Sequence, residues 1–275
     1  MPLNKRFNRS ELLIGNKMNN LYHSKVIIFG IGGVGGYCAE GLARSGINEI
    51  TLVDNDIISE SNINRQIIAL NSTIGKYKTE VMRNRIQDIN PDCQVTILNS
   101  FLTADNIEDF KLERFNYIAD CIDTITSKIA LAVYCDRNNL PLISAMGAGN
   151  KLNAENFKTC DIYETSGCPL AKVMRHELKK RNVHSLKVVY SPDLPLSPHS
   201  NLIINAPNIE KIDQLSCSTS EDVYYENTQN VQLVNESQLP PPLDRHQILG
   251  SVSFVPSVCG MLMCGSIVRD LIKDK

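Results

Sequence analysis

Short apolar runs alternate with longer segments of helical periodicity along most of the chain. Lys25 to Gly30 (KVIIFG) is apolar almost without a break, the pattern of a strand buried on both faces. Gly33 to Ser45 spaces small and apolar residues as a helix does, and Glu49 to Asp54 (EITLVD) predicts a second strand. A long helix is expected over Lys76 to Asn90, stopped at Asn90-Pro91 because proline pushes the preceding residue out of helical conformation. Strands are expected at Gln94 to Leu98, Tyr117 to Cys121 and Leu140 to Ala145, with a helix over Ser127 to Asn138. Ser166 to Asn182 reads as a helix with Pro169 in its first turn, followed by a strand at Lys187 to Tyr190. The alternation predicts an α/β fold built on a doubly wound, mostly parallel sheet.

Residues 1–24 precede this pattern as a helical arm, in which Leu12, Leu13 and Met18 can form an apolar stripe. Residues 25–191 hold the alternating domain. Residues 192–249 are polar, carry the Pro240-Pro241-Pro242 tract and read as a flexible loop or insertion. Order is expected to return over 250–275, with a strand at Ser251 to Pro256 and a closing helix at Val258 to Lys273 completing the same domain.

Hydrophobic residues make up 43% of the chain, enough for a sizeable core. The absence of Trp argues against a stacking platform for single-stranded nucleic acid. Lys and Arg total 28 against 30 acids, a net charge of −2, which excludes a generally basic nucleic-acid binder but leaves room for a local basic face. The nine cysteines are scattered without C-x-x-C spacing, and several sit in apolar runs as small buried hydrophobes. That usage suits a reducing cytoplasm. The start of the chain lacks the apolar core of a signal peptide, and the late apolar run, Val258 to Val268, is too short to span a bilayer, so no membrane partner is expected.

Candidate chemistry begins at Gly30-Ile31-Gly32-Gly33-Val34-Gly35, between the first strand and the first helix. Glycines there admit a phosphate chain close to the backbone, and the helix N-terminus offers free N–H groups. Asp54, ending the second strand, is placed to hydrogen-bond a ribose hydroxyl. These features define a Rossmann-like nucleotide site, and NAD would serve as well as ATP. Asp56, Ser61, Asn62, Arg65 and Gln66 follow, and Lys78 opens the next helix. Hydride transfer builds no charge at the phosphates, whereas nucleotidyl transfer does, and fixed cations such as Arg65 and Lys78 stabilise it. After the fourth strand comes Asp120-Cys121-Ile122-Asp123-Thr124. Asp123 can hold Mg²⁺ across the phosphates, or it can cap the helix that follows.

GIGGVG, the D-x-D before S-N-x-x-R-Q, the G-x-x-K and the D-x-x-D-T together resemble the ThiF/MoeB superfamily, relatives of the ubiquitin-activating enzymes. The leader Arg6-Phe7-Asn8-Arg9 resembles that superfamily's R-[FY]-x-R. The resemblance implies a carboxylate-adenylating enzyme that uses ATP and Mg²⁺. ATP contacts would come from Gly30, Gly32, Gly33, Gly35, Asp54, Asp56, Ser61, Asn62, Arg65, Gln66, Lys78, Asp123 and Thr124. Catalysis would rest on Arg65, Lys78, Asp123 and Arg9, the last supplied across a homodimer interface. Loss of the phosphate-directed charges would mark an inactive scaffold, and they are retained here.

Later segments, among them Met146-Gly-Ala-Gly-Asn-Lys-Leu, Pro169-Leu-Ala-Lys-Val-Met-Arg and Gly250-Ser-Val-Ser-Phe-Val-Pro, are similar to the tRNA threonylcarbamoyladenosine dehydratase branch. That similarity implies a tRNA substrate whose threonylcarbamoyl group, on the adenosine 3′ of the anticodon, is closed into a ring with loss of water. The alternative within the superfamily is adenylation of the C-terminal glycine of a ubiquitin-like sulfur carrier, and a sulfur-relay protein is a possible partner in either case. Ring closure needs no enzyme thiol, so no covalent role is assigned to Cys217 or another cysteine. For tRNA phosphates the basic stretch Lys172, Arg175, Lys179, Lys180 and Arg181 is the candidate face, in competition with an ordinary solvated helix.

Overall fold

The computed structural model describes residues 5–197 and 249–273. A seven-stranded sheet forms its centre: β1 (Lys25–Phe29), β2 (Glu49–Val53), β3 (Gln94–Leu98), β4 (Tyr117–Asp120), β5 (Leu142–Ala145), β6 (Lys158–Asp161) and β7 (Lys187–Tyr190). Their order across the sheet is β3-β2-β1-β4-β5-β7-β6. All neighbours are parallel except β6, which runs antiparallel to β7. The expected α/β doubly wound fold is therefore present.

The unbroken apolar strands follow from burial on both faces. Val26 and Ile28 enter one core layer, while Ile27 and Phe29 enter the other. The first layer is closed by α3 (Gly35–Arg44), α4 (Lys78–Ile89) and α7 (Phe254–Leu271), the second by α5 (Ile125–Arg137) and α6 (Pro169–Lys180). Glycines let α3 and α7 touch. A methyl at Gly41 would lie 2.7 Å from Cys264 Sγ, and one at Gly260 only 2.3 Å from the Val34 carbonyl oxygen. The switch from β1 outward in both directions opens a crevice at the carboxyl ends of β1, β2 and β4, where doubly wound sheets bind ligands.

Four expectations are corrected. β6 was not foreseen, because Lys-Thr-Cys-Asp has neither an apolar run nor an alternation; it is an edge strand held by its partner's backbone. Residues 251–253 form no strand. The closing helix starts at Phe254, with Pro256 in its first turn, where a missing N–H costs nothing. At 18 residues this helix is long and apolar enough to cross a membrane, but Val255, Cys259, Met263 and Ile267 are buried, which makes it a core helix of this fold. The arm splits at Gly15 into α1 (Asn8–Ile14) and α2 (Met18–Tyr22); Met18 is buried, while Leu12 and Leu13 are 88% and 87% exposed. The Pro240 tract, Cys217 and most of the polar 192–249 segment lie outside the described residues.

Near the end of α7, Asp270 accepts hydrogen bonds from the Tyr117 hydroxyl at 2.7 Å and Lys273 Nζ at 2.7 Å, and it pairs with Lys187. Burial alone would raise its carboxyl pKa, but these donors outweigh it and hold the group at about 2. A carboxylate whose folded pKa lies below its unfolded value of about 4 adds stability above that pH, lost as pH falls towards 2. Asp270→Asn should therefore lower the melting temperature at pH 7, with the deficit shrinking between about pH 4 and pH 2; thermal unfolding across that range checks it.

Candidate nucleotide site

The turn from β1 into α3 is shaped by close backbone contact. Gly30 has φ +85°, and a methyl there would sit 2.7 Å from the Cys121 carbonyl oxygen. At Gly35 a methyl would sit 1.8 Å from the Gly30 carbonyl oxygen, so no side chain is possible. Asp54 staples the turn: its Oδ2 accepts the Ile31 N–H at 2.6 Å and its Oδ1 accepts the Asp56 N–H at 2.8 Å. Burial pushes the Asp54 carboxyl pKa up, against the opposing pull of Lys78 and those two N–H donors. Sequence reasoning gave Asp54 a ribose to hold; what the structure shows is its carboxylate organising the glycine turn.

The chain then folds back over that turn. A 3-10 turn at Glu60–Asn62 is held by the Ser59 N–H donating to Asn62 Oδ1 at 3.2 Å, with the Ser59 and Ser61 hydroxyls 2.8 Å apart. Gln66 is buried beside Gly32; among the described residues its Oε1 has no hydrogen-bond partner. Arg65 lies over Gly33, where a methyl would be 3.5 Å from Arg65 Cγ. Its guanidinium is half-buried and donates to the Ser61 carbonyl and the Asn64 amide oxygen, both neutral. Among the described residues no carboxylate pairs with it. Burial lowers its pKa, although an arginine stays charged. Lys78, buried at the start of α4, places Nζ 2.5 Å from Oδ2 of the exposed Asp56.

Beneath the carboxyl end of β4 lies a network that sequence reasoning missed. Asp120 and Lys128 are both buried and form an ion pair at 3.0 Å. Asp120 also accepts the Ser144 hydroxyl at 2.6 Å and the Ile122 N–H at 3.1 Å, and Lys128 donates to the Ile122 carbonyl at 2.9 Å. Both sides of the Ile122 residue are thus pinned, which fixes Asp123 next in the chain. The Asp123 carboxylate is exposed, with the Thr124 hydroxyl 3.5 Å away. An exposed hard oxygen donor at this point fits Mg²⁺ carried mainly by phosphates and water; among the described residues there is no cluster of three or more metal-ligating side chains. A charged pair at Asp120 and Lys128 was legible only as i,i+8 charges within an apolar stretch.

Arg9 is not brought to this group within the chain. It is exposed on α1, whose neighbours Arg6 and Phe7 contact the Ile89 carbonyl and Tyr22, at the amino edge of the sheet. The cations of the basic helix differ in what they touch within the chain. Arg175 turns inward to Thr165, donating to its carbonyl at 2.9 Å, and Lys180 and Arg181 both pair with Glu177. Lys172 and Lys179 remain exposed on α6. A cavity of about 1150 Å³ opens at the amino edge, lined by His23, Tyr117, Lys187 and Asp270, on the side of the sheet away from the glycine turn.

A glycine turn on a parallel sheet, backed by an acid and faced by a half-buried arginine, has the form of a nucleotide-binding site, and the ThiF family model matches residues 7–274: the chain belongs to the ThiF family. It is 38% identical over 271 residues to the tRNA threonylcarbamoyladenosine dehydratase of Bacillus subtilis, covering 98% of this chain and 95% of that protein. The Escherichia coli protein of the same name is 41% identical over 175 residues, covering 63% of this chain and 65% of its own. The crystal structure of the E. coli dehydratase TcdA in complex with ATP superposes with a TM-score of 0.76 at 28% identity, covering 97% of this chain and 93% of that one. The E. coli sulfur carrier protein ThiS adenylyltransferase matches over a shorter stretch, 35% identical across 48% of this chain.

The buried pair has a measurable consequence. Lys128→Met should destabilise the protein by about 3–5 kcal/mol in urea unfolding, because Asp120 is left charged and unpaired in the core.

Proposed function

We propose that this chain is an ATP-dependent tRNA-modifying enzyme that dehydrates the threonylcarbamoyl group on the adenosine 3′ of the anticodon. The observation that carries the reading is Arg65: a half-buried cation without a carboxylate among the described residues, set over Gly33 of the phosphate turn. Burying a charge that way is costly unless an anion arrives to meet it. The relatives named for this reaction, and their crystal complexes with ATP and AMP, support the choice of nucleotide and substrate.

Gly30, Gly32, Gly33 and Gly35 would admit the phosphates, with Ser61, Asn62, Gln66 and Thr124 around them and Asp54 towards the ribose. Arg65 and Lys78 would meet the charge that develops when a carboxylate oxygen attacks phosphorus. Asp56 keeps the Lys78 ammonium at the rim of the site. Asp123 would hold Mg²⁺, which when bound neutralises phosphate charge. Activation would join one carboxylate oxygen to a phosphorus of ATP as a P–O–P bond of the nucleotide breaks and the remaining phosphate-bearing part leaves, making that carboxylate oxygen part of a phosphate leaving group. A nitrogen of the same threonylcarbamoyl group then attacks the carbonyl carbon, the nitrogen loses its proton, and the activated oxygen departs with the phosphate. The two ends are tethered, so proximity supplies much of the rate. Arg9 sits at the far edge of its own chain and would complete the site of a second copy in a homodimer. A sulfur-relay protein remains a candidate partner, and the eight cysteines among the described residues are all free thiols, as in a cytoplasmic protein.

Incubation with ATP and threonylcarbamoylated tRNA, followed by mass spectrometry of the nucleosides, should show loss of one water from the modified adenosine. Conversion of a diglycine-tailed carrier to its adenylate, with tRNA untouched, would overturn the assignment. Lys78→Ala and Asp123→Ala should each lower turnover by about two orders of magnitude or more while the fold survives. The charge reversals Lys172→Glu and Lys179→Glu should weaken tRNA binding and flatten its dependence on salt; unchanged affinity and slope would remove α6 from the tRNA face.

A further inference from the structure

The Arg65 side chain is fastened to a part of the chain far from it in sequence. Its Nη1 donates to Asn64 Oδ1 at 3.0 Å, and Asn64 Nδ2 donates to the Ser251 carbonyl at 2.9 Å, 187 residues away. Ser251 follows Gly250, which exchanges two hydrogen bonds with Asn150: its N–H donates to Asn150 Oδ1 at 2.6 Å, and its carbonyl accepts the Asn150 N–H at 2.7 Å. The Asn150 carbonyl also accepts the Leu196 N–H at 2.7 Å. Asn150 makes these bonds with φ +54°, in the left-handed region, just past the carboxyl end of β5. At its other end the segment reaches Pro256, which packs on the glycine turn: a methyl at Gly33 would lie 3.2 Å from Pro256 Cβ. Residues 250–256 therefore run from the end of β5 to the phosphate turn, with Asn64 joining them to Arg65 on the way.

We infer that Asn64 is a positioning residue for Arg65, bridging its guanidinium to the Ser251 carbonyl so that residues 250–256 set the geometry of the phosphate contact. This rests on the role given to Arg65 above. The bridge needs a carboxamide, since one end must accept from arginine and the other must donate to a carbonyl. Aspartate would accept at both ends, repel the Ser251 oxygen and hold Arg65 in competition with phosphate. Asn64 is exposed, so its contacts do little for the core. A long, flexible arginine that is already ordered loses less freedom when it meets its anion.

Calorimetric titration of ATP with Mg²⁺ into the wild type, Asn64→Ala, Arg65→Ala and the double variant tests the inference without needing tRNA. Asn64→Ala should bind ATP about three- to tenfold more weakly, the scale of one or two hydrogen bonds, at an unchanged melting temperature. Arg65→Ala should lose more, and the double variant should match Arg65→Ala alone, since Asn64 acts only through Arg65. Wild-type affinity in Asn64→Ala, a melting temperature that falls in step with affinity, or losses that multiply in the double variant would each overturn the inference. Wild-type affinity in Arg65→Ala would instead overturn the phosphate role of Arg65.

Discussion

The site depends on a contact that leaves no room for a side chain: the Gly30 carbonyl occupies the place where a Cβ of residue 35 would be. With that space free, β1 can turn sharply and α3 can begin with its N–H groups facing the crevice, an end that offers an anion both donors and the positive pole of a helix. The next contacts build on it. Asp54 pins the turn through the Ile31 N–H, the Cys121 carbonyl lies against Gly30, and Gly260 of α7 sits on the Val34 carbonyl. Each is an approach of backbone to backbone or of carboxylate to backbone, so the shape is held by groups that cannot swing away.

On that rigid floor the charges are arranged unequally. Lys78 has a carboxylate neighbour in Asp56, and Asp120 and Lys128 satisfy each other in the core. Arg65 has neutral oxygens alone among its described partners. Field strength grows as water is excluded, so a cation that meets only neutral oxygens among the described residues is the one that gains most from an incoming anion. On the function proposed above, this asymmetry rather than the number of charges singles out Arg65 as the phosphate contact.

Much of this was legible in the primary order. β1, β2, β4 and β5 are buried on both faces and announce themselves as apolar runs; the glycine turn and its acid follow directly from them. β6 was invisible because an edge strand borrows its order from a neighbour, and Lys-Thr-Cys-Asp has no pattern of its own. The strand expected before the last helix was misjudged at Pro256, which reads as a stop and in fact sits in a first turn. The basic stretch on α6 holds Glu177 as its one acid, and helical geometry brings that acid within reach of Lys180 and Arg181, while Thr165 takes Arg175. Spacing shows which residues share a face; which of them are already engaged depends on contacts between segments.

The seating of α7 on the glycine turn has a consequence for how the protein is made. A chain emerging from the ribosome with its first 190 residues carries the side chains proposed above for the phosphates, but it lacks the helix that backs Val34 and the proline that flanks Gly33. The packing that backs the glycine turn is therefore one of the last features the nascent polypeptide can acquire, since it waits on residues 256 and 260.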